Sequence, residues 1–172
     1  MTKAHVSTVD TQIGPFTAII ASDGAVLASG WTASADELLA LISPSLRPDE
    51  IHSRPDLGEV TGAVRDYHRG DLSAIDRIPV RQISGPFITH AWEVLRTIPP
   101  GKPTSYTDFA ALAGRPEAVR AAASACARNA ATLFVPCHRI LRNDRTLGGF
   151  RWGRPAKQWL LAHESGIQNP VP

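Results

Sequence analysis

The chain holds only two cysteines, Cys126 and Cys137, among its 172 residues. Two thiols cannot build the disulfide framework that staples a small secreted domain, and in a reducing compartment they are expected to stay free. No apolar run approaches the roughly 20 residues that a membrane helix needs. The first stretch, "MTKAHVSTVD", lacks the apolar segment of a secretory signal, so a cytoplasmic protein with no membrane partner is expected. There is no G-x-G fingerprint for a nucleotide cofactor, no internal repeat and no low-complexity tract. Ordinary globular material remains, with 43% apolar and 20% charged residues. That length suffices for one large domain or two small ones, each with a real core.

Acidic residues are also scarce in one half. Residues 1–84 carry 7 Lys and Arg against 11 Asp and Glu, a balance of −4, whereas residues 85–172 carry 11 against 5, a balance of +6. A basic half suits an anionic partner such as nucleic acid, or simply a solvated basic surface. The change of sign falls near "ISGPF", whose Gly85 and Pro86 suit a boundary between domains over 1–84 and 85–172.

The first half reads as α/β. "FTAIIASDGAVLASGW" contains two strand-like runs around Asp23-Gly24, a strong hairpin signal. "SADELLALIS" predicts a short helix with Ser34 as N-cap and Glu37 three residues on. "PSLRPDEIHSRPD" reads as a proline-punctuated loop, and "LGEVTGAVRDYHRG" as a helix closed by Gly70. "DRIPVRQI" predicts a further strand, which Pro79 confines to an edge. No catalytic constellation is visible here, and His52 and His68 read as surface residues.

The second half reads as mostly helical. "PFITHAWEVLRTIP" sets Phe87, Ala91, Val94, Leu95 and Ile98 at helical spacing and stops at Pro99-Pro100, with Trp92 a packing residue. "TSYTDFAALAG" predicts a helix capped by Thr104 or Ser105 and ended by Gly114, and "RPEAVRAAASACARN" one that starts at Pro116. Two short helices around a glycine turn suit a helix-turn-helix. On the second, Val119, Ala122, Ala123 and Cys126 follow the spacing of a buried stripe. Arg120, Ser124, Ala127 and Arg128 lie on another side, small residues with two cations. That face can approach DNA closely, but it lacks the Asn and Gln that read base edges, so little sequence preference is expected. An alanine-rich packing helix is the alternative.

"LFVPCHRIL" then sets a thiol between a proline and two basic groups. "TLFV" reads as a short buried strand. A thiol in apolar surroundings stays protonated and needs a base to act as a nucleophile. His138 is adjacent, yet neighbours in an extended chain point to opposite faces. A folded turn or a bridging water would have to connect them, and Glu164 in "KQWLLAHESG" is a candidate to orient the imidazole. From these residues alone, Cys137 is either such a nucleophile or an inert core thiol.

"PCHRI", with "SYTDFAALAG", "AVRAAASACARN" and "GGFRWG" at matching spacings, resembles the O6-alkylguanine-DNA alkyltransferases over about residues 85–166. The likeness is greatest to the C-terminal methyltransferase part of the bacterial adaptive-response protein, and "TQIGPFTAII" echoes the family's N-terminal strand more loosely. The resemblance implies an RNase H-like α/β domain followed by a mainly α-helical domain, whose helix-turn-helix enters the minor groove of double-stranded DNA. It implies that Cys137 accepts the alkyl group of O6-alkylguanine once and irreversibly, that His138 activates it through a water, and that Glu164 orients His138. By the same match Tyr106 contacts the flipped base and its 3′ phosphate, Arg120 fills the hole left in the duplex, and Asn129 braces the helix against the active-site segment. Ser124, Ala127 and Arg128 then face DNA, and Val135, Phe150, Arg151 and Trp152 join Tyr106 around the substrate. The transfer needs no cofactor, no metal site is read from the sequence, and a monomer working near the nucleoid is expected.

Some positions depart from the family pattern. Phe150 stands where many members have tyrosine, Lys102-Pro103 replaces a common Glu-Thr, and "FITHAW" replaces a glutamine-rich stretch. Trp152 adds bulk that would crowd large O6 substituents. Three other readings use the same residues: a non-catalytic lesion sensor, whose known representatives lack the cysteine, a helix-turn-helix regulator with a core thiol, and a thiol hydrolase.

Overall fold

The computed structural model describes residues 1–166. By its contacts the chain divides into two compact units. One comprises Met1–Ile83 with Ala130–Phe134, the other Ser84–Asn129 with the described part of Val135–Pro172. The division therefore differs from a single cut after residue 84. Five residues of the second half return to the first unit, where Ser29 N–H donates to the Ala130 carbonyl (2.8 Å) and Ser29 Oγ to the Thr132 carbonyl (2.8 Å).

The first unit is built on a four-stranded sheet in the order β3-β2-β1-β4, with β1 Lys3–Thr11, β2 Gly14–Ala21, β3 Val26–Gly30 and β4 Glu50–Ser53. β1 and β2 are antiparallel, with Thr11 opposite Gly14, so that two residues make the turn. Asp23-Gly24 turns the chain from β2 into the antiparallel β3, and Gly24 supplies the positive φ of 92° that a side chain would resist. β4 runs parallel to β1. Helix α1, Ala35–Leu39, begins at Ser34, whose Oγ accepts from Glu37 N–H. Helix α2, Glu59–Arg69, packs on β1 and ends at Gly70 in the left-handed conformation. Phe16, Ile19, Leu38, Val64 and Tyr67 are fully buried between them, each such apolar side chain contributing about 1.5–3 kcal/mol.

Two segments differ from the sequence expectation. The proline-flanked "EIHS" forms β4 rather than loop, since a four-residue, partly exposed edge strand needs no alternating pattern. "DRIPVRQI" is not a strand: a 3₁₀ turn, Ala74–Arg77, precedes an isolated bridge of Val80 to Val26. Val26 N–H donates to the Pro79 carbonyl and Arg81 N–H to the Val26 carbonyl. Pro79 has no N–H with which to extend the ladder.

The second unit is helical around one short parallel strand pair. Helix α3, Pro86–Leu95, buries Ile88, Ala91, Trp92 and Leu95. The buried stripe is thus turned from the expected one. Phe87 and Val94 are half-buried, and Ile98 is buried beyond the helix end. Strand β5, Thr104–Ser105, leads into α4, Tyr106–Leu112, where Ser105 Oγ caps Asp108 N–H. Helix α5, Val119–Arg128, packs on both α3 and α4 and begins three residues after Pro116. Residues 115–118 make a turn instead, with Ala118 N–H on the Arg115 carbonyl. A 3₁₀ turn, Cys137–Arg139, runs into β6, Ile140–Leu141, which pairs with β5. Helix α6, Arg154–Ser165, closes the described chain with Gly166 as its left-handed cap. Among the described residues no helix is long and apolar enough to cross a membrane.

Candidate functional site

Cys137 stands at the start of the 3₁₀ turn, where the chain is folded rather than extended. "TLFV" is not a strand either. Leu133 adopts a positive φ of 83° while fully buried, so the segment bends. Asn129 closes this bend from the end of α5, its side-chain Nδ2 donating to the Val135 carbonyl at 2.8 Å. The same carbonyl accepts from Cys137 N–H at 2.8 Å. Asn129 also hydrogen-bonds the Cys137 side chain. Asn129, Val135 and Cys137 are all buried.

Burial pushes the Cys137 thiol up, while the Asn129 hydrogen bond, the Lys157 ammonium and Arg151 pull against it. His138 is completely buried. Its Nε2 lies 2.8 Å from Glu164 Oε2, and its Nδ1 has no hydrogen-bond partner among the described residues. Desolvation lowers the imidazole below its ordinary value even though Glu164 opposes this. A neutral ring that donates Nε2–H to the carboxylate therefore leaves a lone pair on Nδ1, the state of a general base. Burial by itself would raise the Glu164 carboxyl, but His138 and Arg139 outweigh it and hold the acid well below the usual range.

Arg139 is the residue that the sequence reading left out. Its Nε donates to Glu164 Oε1 (2.9 Å), its Nη2 to Oε2 (2.8 Å) and its Nη1 to the Ile98 carbonyl (2.7 Å), all buried. A two-pronged guanidinium pair fixes the plane of the carboxylate. It also neutralises an acid near the C-terminal end of α6, where the helix dipole disfavours one. Lys157 was missed too. It is fully buried on α6, and its Nζ donates to the Ile140 carbonyl at 2.7 Å and the Gly149 carbonyl at 3.4 Å. For Arg139 the signal was a basic residue in an otherwise mostly apolar run, whereas Lys157, between Ala156 and exposed Gln158, carried none.

The strand pair β5–β6 sets Tyr106, the residue after Ser105, beside the stretch that follows the Cys-His-Arg turn. A Cβ on Gly148 would lie 3.6 Å from Tyr106 Oη and 3.5 Å from Arg142 Cγ. Gly148 at φ 70° leaves that room free. Tyr106 is half-buried, and burial with the two nearby thiols pushes its phenol up to about 12. The hydroxyl is thus a donor at neutral pH.

On α5, Arg120, Ser124, Ala127 and Arg128 are exposed together. The opposite face differs from expectation. Ala122 and Ala125 are the buried pair, and Val119, Ala123 and Cys126 are half-buried. With alanine on several sides, hydrophobicity could not say which stripe turns inward. Arg128 reaches Ser84 Oγ at 3.4 Å, and Arg151 Nη2 donates to the Ala127 carbonyl at 2.7 Å. Phe150 and Trp152 are half-buried and Arg151 exposed in the loop between β6 and α6. Among the described residues no three His, Cys, Asp or Glu side chains gather as a metal site requires.

Comparison with known proteins matches residues 86–166 to the 6-O-methylguanine DNA methyltransferase, DNA binding domain. The methylated-DNA–protein-cysteine methyltransferase of Shigella flexneri is 33% identical over 158 residues, 91% of this chain and 92% of that protein. The bifunctional transcriptional activator/DNA repair enzyme Ada of Escherichia coli is 49% identical over 79 residues, 46% of this chain and 22% of that longer protein. The crystal structure of Mycobacterium tuberculosis OGT in complex with DNA agrees in fold, with a TM-score of 0.75 at 24% identity over 94% of this chain and 93% of that one. With a full-length relative one-third identical, and the cysteine, histidine and glutamate of the resembled motif gathered in one buried cluster, this chain belongs to the methylated-DNA–protein-cysteine methyltransferases.

Proposed function

We propose that this protein repairs DNA directly, binding duplex that carries O6-alkylguanine and moving the alkyl group onto Cys137 Sγ. The observation that carries this reading is the buried pair of Glu164 and His138, whose Nδ1 has no hydrogen-bond partner among the described residues, in the same 3₁₀ turn as Cys137. A water between Nδ1 and Sγ takes the thiol proton to His138. The sulfur lone pair then forms a bond to the alkyl carbon, the carbon–oxygen bond breaks, and its electrons go to O6 of the guanine, which leaves once N1 or O6 is protonated. Atoms and charge balance without a cofactor. The product is a thioether with no easy leaving path, so each molecule acts once.

Reaching O6 requires the base to leave the stack. Tyr106 holds the extruded nucleotide through its hydroxyl, and Arg120 fills the gap, its planar fork being better suited than an ammonium. Ser124 and Ala127 allow close approach, and Arg128 contacts phosphate. Val135, Phe150, Arg151 and Trp152 line the alkyl pocket. The strand order and the parallel β4 of the first unit support an RNase H-like reading. The packed pair α4 and α5 supports a helix-turn-helix that enters the minor groove with little sequence preference. A monomer in the cytoplasm, near the nucleoid in a bacterium, completes the reading, with the alkyltransferase domain over 85–172.

The test is to mix the protein with a duplex containing O6-methylguanine and weigh the intact chain. One added methyl group per chain, mapped to Cys137, is expected. Continued turnover would indicate a hydrolase, and an unchanged mass with tight binding a lesion sensor.

A further inference from the structure

We infer that Arg145 is a further contact to the DNA backbone, carried on an exposed turn beside Tyr106, and the inference rests on the repair reading above. Among the described residues, only Leu133 and Arg145 combine a side chain with a positive φ, at 83° and 69°. Leu133 is buried, and its packing holds it there. Arg145 is exposed, as are its neighbours from 142 to 146. A left-handed backbone is unfavourable for a residue with a Cβ, and glycine or asparagine would relax it. The three-residue turn between Arg142 and Thr146 requires that conformation at position 145. The sequence thus places a guanidinium at a turn position where glycine would be relaxed.

The turn is well defined. Arg142 N–H donates to the Thr146 carbonyl at 3.0 Å and Arg145 N–H to the Arg142 carbonyl at 2.8 Å. Asn143 Oδ1 accepts Thr107 N–H at 3.2 Å, which ties the turn to the residue after Tyr106. Arg145 Nη1 donates to the Pro103 carbonyl at 3.1 Å, a bond that uses one of the five guanidinium donors. The one acid in the turn, Asp144, directs Oδ1 at Thr146 N–H (3.0 Å) and Oγ1 (2.7 Å). No carboxylate among the described residues lies within ion-pair distance of Arg142 or Arg145, although Arg142 attracts the Asp144 carboxylate through space. Exposed Lys102 adjoins Pro103. The surface next to the Tyr106 hydroxyl, with Arg142, Arg145 and Lys102 against Asp144, is thus net cationic and hydrogen-bond-rich. Those are the properties that a phosphodiester backbone selects. Adjacency to Tyr106, which holds the flipped nucleotide, makes the occupant the strand that flanks it.

Binding of an O6-methylguanine duplex, measured as a function of salt, tests this. In Arg145→Gly the slope of log K against log salt is expected to fall by about one ion, and affinity by about fivefold at 0.15 M salt. The thermal midpoint should stay level or rise, because glycine relaxes the backbone. Arg145→Lys, which keeps the charge, should keep the slope. A wild-type slope in Arg145→Gly, or an equal fall in Arg145→Lys, would overturn the proposal. A lower midpoint with slower transfer from the free base O6-benzylguanine would overturn it too, showing that the bond to Pro103 merely holds the turn. Wild-type protein that takes no methyl group from the duplex would instead defeat the repair reading.

Discussion

Cys126 and Cys137 are the same chemical group in the same unit, and burial pushes both thiols up. Their company differs. Cys126 sits within the regular helix α5 among alanines, and of the groups around it only Lys157 pulls its thiol down. Cys137 opens a 3₁₀ turn, where the Asn129 side chain, its own backbone amide, Lys157 and Arg151 all favour the thiolate, with His138 next in the chain. Burial alone therefore does not make a nucleophile. A buried thiol becomes one where the backbone leaves its helix and lets donors and a base converge on it.

The largest effect expected from this contrast is all or none. Cys137→Ala should abolish methyl uptake, whereas Cys126→Ala should retain a stoichiometry of about one methyl per chain. Peptide mapping of the alkylated protein checks both, and methylation at Cys126 with Cys137 untouched would break the comparison.

Glu164→Gln should slow transfer by about 10²–10⁴-fold, the usual worth of general-base assistance, without abolishing DNA binding. The same variant tests the ion pair. A carboxyl held below its ordinary value contributes stability that is present above the unfolded pKa, about 4.3, and lost as pH falls through the folded one. Glu164→Gln should therefore flatten the acid limb of a thermal-midpoint curve. It should also cost stability at neutral pH, because Arg139 is left buried without its partner, a loss of about 3–5 kcal/mol for such pairs.

Arg120→Ala should slow repair of duplex DNA by about 10–100-fold, in line with the few kcal/mol that unstacking costs, while transfer from free O6-benzylguanine stays near wild type. Equal losses on both substrates would show that Arg120 acts on the pocket and not on the duplex. The smallest effect belongs to Trp152→Gly. It should raise reactivity toward O6-benzylguanine about tenfold more than toward O6-methylguanine, within the range that small changes of pocket bulk allow. Equal changes would place Trp152 outside the pocket.

Sequence by itself determined the pieces whose cause is local. The Asp23-Gly24 hairpin, the Ser34 cap, a cap at Thr104 or Ser105 and the Gly70 and Gly166 stops follow from φ and from side chains that bond their own neighbouring N–H groups. It also offered Cys137, His138 and Glu164 as candidates, and the family resemblance, not the residues alone, chose the nucleophile reading over a core thiol. Only the tertiary structure decided what depends on distant partners. β1, whose alternation breaks at Ser7-Thr8, is a strand because β2 pairs with it along its length, and β4, flanked by prolines, because it pairs with β1. The inward side of α5 could not be read from an alanine-rich pattern that is apolar on most faces. The burial of Arg139 and Lys157 came from contacts 25 residues away in Arg139–Glu164, 41 in Arg139–Ile98 and 17 in Lys157–Ile140. A charge enters a core only when such partners arrive to satisfy it, and no local pattern records their arrival.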